Sequence, residues 1–153
     1  MVAVHRLTPE ARKIWSQVGL AFATAYAVLI SLVYFVQLTL VAPRMTRGEV
    51  GGIELLVFVP FNSFLYAVDR LGYSFMSMAT LFVAFAFRGG GVERIARGFL
   101  IANGLLLPFV ALQMFYHPLL YIASLWVVTF PGATWCMALV FRKLREPLEV
   151  LYL

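Results

Sequence analysis

Six side chains able to do polar chemistry stand at the ends of long apolar runs: Gln37, Asn62, Asp69, Arg70, Gln113 and His117. Together they would offer a carboxylate, a guanidinium, three amides and an imidazole, a set suited to holding a small polar molecule or an ion. Ionisable groups in or near a bilayer are costly, so each is by default a functional hypothesis. Tyr34, Tyr66, Tyr116 and Tyr121 surround them in the sequence, which supports a second reading. In that reading an aromatic belt at the membrane interface is accompanied by polar groups that cap helix ends and fix loops.

Other chemistry is sparse. His5 and His117 are expected on opposite sides of the membrane, so they would not share a haem or metal within one subunit. The single cysteine, Cys136, excludes a CxxC redox pair. HExxH and GxSxG are missing, and no two carboxylates lie within apolar runs. Gly89-Gly90-Gly91 lacks the GxxxxGK[ST] spacing of a phosphate loop and suits a helix C-terminal cap. No catalytic residue, metal or cofactor is expected, and the chain does not read as an enzyme.

The elements that must position these residues are membrane helices. The 153-residue chain is 63% hydrophobic and 12% charged, with a mean hydropathy of +0.91, against about 25% charged residues in soluble domains. We expect an all-α fold, a four-transmembrane-helix bundle, forming one integral membrane domain over residues 1–153. Spans are expected at about 14–41, 68–87, 95–115 and 119–141. Thr8-Pro9-Glu10 provides a helix start. The uncharged run Ile14 to Val41 is too long for a signal peptide's apolar region, and Ala42-Pro43-Arg44 is expected to end that helix. Pro108, four residues after Gly104, predicts a bend in the third span, and Pro131-Gly132 predicts another in the fourth. Residues 53–67, interrupted by Pro60 and followed by Asp69-Arg70, are expected as an additional short outer-face interfacial or re-entrant helix.

Charge orients this arrangement. Nine of the twelve Lys and Arg residues precede the first run, separate the second from the third, or follow the fourth. Only Arg44, Arg47 and Arg70 fall on the other side. The positive-inside rule places both termini in the cytoplasm, most simply of a bacterial inner membrane. The six polar residues are then on the outer side. The net charge of +5 is explained by headgroups and topology without a nucleic acid partner.

Small and weakly polar residues recur at helical spacing: Gln17, Ala21, Thr24, Val28 and Ser31; Tyr73, Ser77, Thr80 and Ala84; Gly98 and Ala102; Ser124, Val128, Gly132 and Cys136. Such faces let helices approach closely within a subunit or between copies. Glu93-Arg94 with Arg97 and Asn103 is loosely similar to the basic helix of membrane-associated eicosanoid and glutathione enzymes. It departs from that pattern in span number, in the Asn spacing and in the absence of the following carboxylate. The stretch Tyr34-Phe35-Val36-Gln37-Leu38-Thr39, a short aromatic outer segment, and Asp69 leading to Leu71-Gly72-Tyr73 resemble small bacterial integral membrane proteins of four spans. That resemblance implies a fold and no activity. The functions expected are a structural or accessory component binding lipids, a protein partner or further copies of itself; alternatively a small-molecule or ion transporter or binding protein; and, third, a membrane enzyme acting on a lipophilic substrate.

Overall fold

A computed structural model describes the backbone of residues 1–150 and the side chains of residues 1–143. Those residues are mainly helical, with no strand among them. The helices are α1 (Val2–Leu7), α2 (Lys13–Val36), α3 (Ala42–Thr46), α4 (Phe64–Ala84), α5 (Val92–Leu105), α6 (Leu107–Leu112), α7 (Leu119–Ala123) and α8 (Trp126–Val150).

Three stretches are long and apolar enough to cross a membrane. They are Glu10–Thr46, Val92–Leu112 and Leu119–Lys143, with mean hydropathies of 2.1, 1.8 and 1.5. The first joins α2 to α3 through one π turn at Gln37–Val41. The expected stop at Pro43 is therefore overtaken. Proline lacks an N–H and clashes with the carbonyl four residues back; just before it, the ladder widens so that the Ala42 N–H bonds to Gln37 O, and the helix continues to Thr46.

The segment expected as a second span over 68–87 is helical over Phe64–Ala84 and is not among those three. Asp69, Arg70, Ser74, Ser77 and Thr80 lower its hydropathy. Its start is fixed by Ser63, whose hydroxyl accepts the Tyr66 N–H at 3.1 Å, a side-chain N-cap. The short helix expected at 53–67 is corrected by the same observation. Residues 53–63 form turns, with Phe61 at a φ of 69°, and only 64–67 are helical, as the first turn of α4.

The longer helices pack mainly in chain order, α2 on α4, α4 on α5 and α5 on α8, with α6 also against α4. The α2–α4 seam is aromatic: Trp15 and Phe22 meet Phe82, Phe22 meets Phe75, and Tyr26 meets Tyr73, at centroid separations of 5.6–6.2 Å. Each such pair contributes about 0.5–1.5 kcal/mol beyond burial. Close approach depends on Gly19 of α2, where a Cβ would lie 2.4 Å from Val83 Cγ2 and 3.0 Å from Ala79 O. Likewise, a Cβ at Gly104 of α5 would lie 2.6 Å from Leu81 Cβ and 3.0 Å from its Cα. The core between α4, α5 and α8 holds Val83, Ala84, Leu100, Ala133 and Val140, closed at one end by Val4 of α1.

The stretch Val92–Leu112, expected as the third span, breaks at Leu106, between Gly104 and Pro108. In Leu119–Lys143, expected as the fourth, the helix runs uninterrupted through Pro131-Gly132, and the break lies earlier, at Ser124-Leu125.

Candidate functional site

Asp69 is on the buried face of α4 and only 1% exposed. Its carboxylate accepts a hydrogen bond from the guanidinium of Arg70, its chain neighbour. Successive helical side chains do not ordinarily face each other. The geometry is recovered because Arg70 curls back: its guanidinium lies 4.8 Å from the Tyr66 ring centroid and 5.1 Å from that of Tyr73. Two rings of one helix, at i−4 and i+3, hold the cation beside the carboxylate.

The surrounding shell is aromatic and amide. Tyr34 and Tyr73 hydroxyls are 3.4 Å apart, and Tyr73 packs on Trp126 of α8 at 5.3 Å. Gln113, 1% exposed, turns its Nε2 onto Val110 O at 3.0 Å, while its Oε1 is a long 3.5 Å from the Tyr66 hydroxyl. His117 is exposed and stacks on Phe61 at 4.7 Å; Phe61 in turn meets Tyr66 at 5.4 Å. Asp69, Arg70, Gln113 and His117 thus join through Tyr66 and Phe61. Gln37 points elsewhere, donating from Nε2 to Leu56 O at 2.7 Å. Asn62 is exposed in the turn before the Ser63 cap.

No family model, curated protein or solved structure matches this chain. Its reading rests on its own residues. No group of three or more His, Cys, Asp or Glu among the described residues could hold a metal ion, and nothing in the fold or in the comparisons points to an enzyme activity.

A second polar cluster lies deeper and was not singled out from the sequence as a site. Asn103 of α5 is fully buried. Its Nδ2 donates to Thr80 Oγ1 of α4 at 3.0 Å, and its Oδ1 accepts from Thr129 Oγ1 of α8 at 2.9 Å. Thr80 donates onward to Ser77 O at 2.9 Å. One amide therefore ties three helices, and each polar atom in the relay has a partner. Asn103 is the only amide in the middle of its apolar run, which was the available signal; its two hydroxyl partners lie 23 and 26 residues away.

The basic end of the molecule is organised by caps. Arg12 donates to Ala86 O at 2.7 Å, just beyond the C-terminus of α4, where a cation is favoured. His5 Nδ1 and Ser16 Oγ are 3.0 Å apart, joining α1 to α2. The Gly89 N–H donates to Glu93 Oε2 at 2.7 Å, so an acid in the first turn of α5 occupies the glycine loop.

Proposed function

We propose that this chain is a four-span integral membrane protein with a structural or accessory role, binding lipids or a protein partner through its outer helix faces. The observation that carries the reading is a contrast in burial. Asp69, Asn103, Gln113, Ser77 and Thr80 are buried and bonded to other groups of the chain. The apolar windows of Glu10–Thr46 and Leu119–Lys143, by contrast, are only 17% buried, leaving Val28, Leu32 and Phe35 of α2 and Val127, Val128 and Trp135 of α8 exposed.

In this reading α4 is the second of the four spans despite its composition. Its polar face is covered by α2, α5 and α6, and a helix with polar groups is tolerated in lipid when neighbouring protein surrounds them. The basic clusters and both termini lie in the cytoplasm, and the Asp69 end faces outward, as in a bacterial inner membrane.

A second reading, a small-molecule or ion site at Asp69 and Arg70, is favoured by one observation. Arg70 Nε is buried without a hydrogen-bond partner, a donor that a ligand would satisfy.

Purification in mild detergent tests the two. A stoichiometric larger partner or a tightly held lipid supports the accessory role; a lone oligomer with a bound polar small molecule overturns it. A cytoplasm-specific reporter that is inactive at the C-terminus overturns the orientation.

A further inference from the structure

At the outer end of α2 lies a second, separate concavity. The π turn at Gln37–Val41 displaces the helix ladder, and the turns after Val50 fold over it, pinned by Gln37 Nε2 on Leu56 O. The result is a half-open cavity of about 390 Å³, within the size range of small-molecule sites. Its walls are mainly apolar, including Val41, Met45, Val57 and Phe58, with Gln37 and Glu54 as the polar lining residues. π turns inserted in α-helices are frequent at functional sites.

We propose that this cavity binds a long-chain alcohol: an apolar tail along the valine and phenylalanine wall, ending in a neutral hydroxyl held by Gln37 and Glu54. The polar complement selects the head group. Gln37 spends one N–H on Leu56 O, which leaves its other N–H to donate and its carbonyl oxygen to accept. Glu54 accepts the Gly52 N–H through Oε1 at 3.0 Å, which leaves Oε2 to accept. Two acceptors and one donor ask for a group that both donates and accepts. A carboxylate or phosphate head would meet the charge of Glu54. An ammonium head, which donates only, would leave the remaining Gln37 N–H facing a cation. A hydroxyl meets neither objection.

Depth supports the same ligand. The continuous helical stretch Glu10–Thr46 has 37 residues, about 55 Å at about 1.5 Å per residue, against a hydrocarbon core of about 30 Å. Its outer turns therefore rise to the headgroup level, where the hydroxyl of a membrane-dissolved alcohol resides. This placement rests on the membrane reading above, whereas the cavity and its acceptors do not.

The test is photolabelling of the full chain in phosphatidylcholine nanodiscs with a long-chain alcohol bearing a diazirine on its tail, followed by peptide mapping. Labelling is expected to concentrate on residues 37–59 and to be competed by dodecan-1-ol about tenfold better than by dodecanoate or dodecylamine, the margin of about one hydrogen bond. Val57→Trp, which fills the cavity, and Val59→Trp, at its exposed mouth, should each abolish that label, while Val127→Trp on α8 should not. Label spread over the lipid-facing helices, equal competition by all three amphiphiles, or retention of label in a folded Val59→Trp protein overturns the proposal. A reversed C-terminal reporter with the label still at 37–59 would sink the orientation and leave the site standing.

Discussion

Asp69 and Arg70, adjacent in the chain, form a buried ion pair within a single turn of α4, with the guanidinium held between the rings of Tyr66 and Tyr73. The pair is self-contained, so α4 carries both charges into the interior without needing a countercharge from another helix.

Removing one partner should therefore be worse than removing both. Asp69→Asn leaves a largely buried guanidinium without its anion, and a loss of about 3 kcal/mol in unfolding free energy is expected. Asp69→Asn combined with Arg70→Gln should recover a substantial part of it. Reversible unfolding in mixed micelles measures both; equal losses in the single and double variants would contradict the pairing.

Asn103→Ala removes the two interhelical hydrogen bonds that join α4, α5 and α8. Such bonds in membrane proteins average about 0.6 kcal/mol each, so a loss of about 1–2 kcal/mol is expected. Thr129→Val should cost about half as much, and Thr129→Val added to Asn103→Ala should cost little more. Simple additivity in that cycle would show that the relay does not act as a unit.

The sequence made the apolar runs, their approximate limits and the break between Gly104 and Pro108 legible, because hydropathy and proline act locally. What it concealed was produced by pairing. Asp69-Arg70 resembles a helix boundary when each charge is counted alone; neutralised against each other, the two sit inside α4, which begins at the Ser63 cap six residues earlier. Pro43 looked like a stop because its cost is certain, whereas the π turn that absorbs it has no sequence signature. Apolarity predicts a helix over 53–67, yet the chain spends 53–63 on turns that cover the end of α2. Of the six polar residues proposed together, four join through Tyr66 and Phe61, contacts between elements that spacing along the chain does not encode. Gln37 instead belongs to the loop cavity.

Gly19→Ala and Gly104→Ala should each loosen a helix seam. The added methyl at Gly104 meets backbone as well as side chain of α4, so the helices must separate, at a cost of about 1–3 kcal/mol. Gly98→Ala, on the same helix as Gly104 but with open space around its added methyl, serves as the control and should be neutral or slightly stabilising. Thermal unfolding of the three variants in one detergent makes the comparison.

Glu54 gives the outer loop a pH dependence. Hydrogen bonds from the backbone N–H groups of Glu54 itself and of Gly52, aided by Arg44, hold its carboxyl below the usual glutamate range. A lowered pKa in the folded loop means that the carboxylate's hold on the Gly52 turn is complete above the ordinary glutamate value of about 4.3 and is lost as pH falls through the lowered value. Amide signals of Gly52 and Glu54 followed by NMR during acidification should shift together below that point. Glu54→Gln should abolish the transition.

The packing order of the helices has a consequence for assembly. Because α4 seats against α2, α5 against α4 and α8 against α5, each of α4, α5 and α8 follows its packing partner out of the ribosome. Only α2 awaits a later neighbour, and the burial of Asp69 and Asn103 can proceed in the order of synthesis. The short α1, first in the chain, shares its core with the last helix: Val4 and Val140 of α8 belong to one buried cluster, so that cluster is complete only once α8 has arrived.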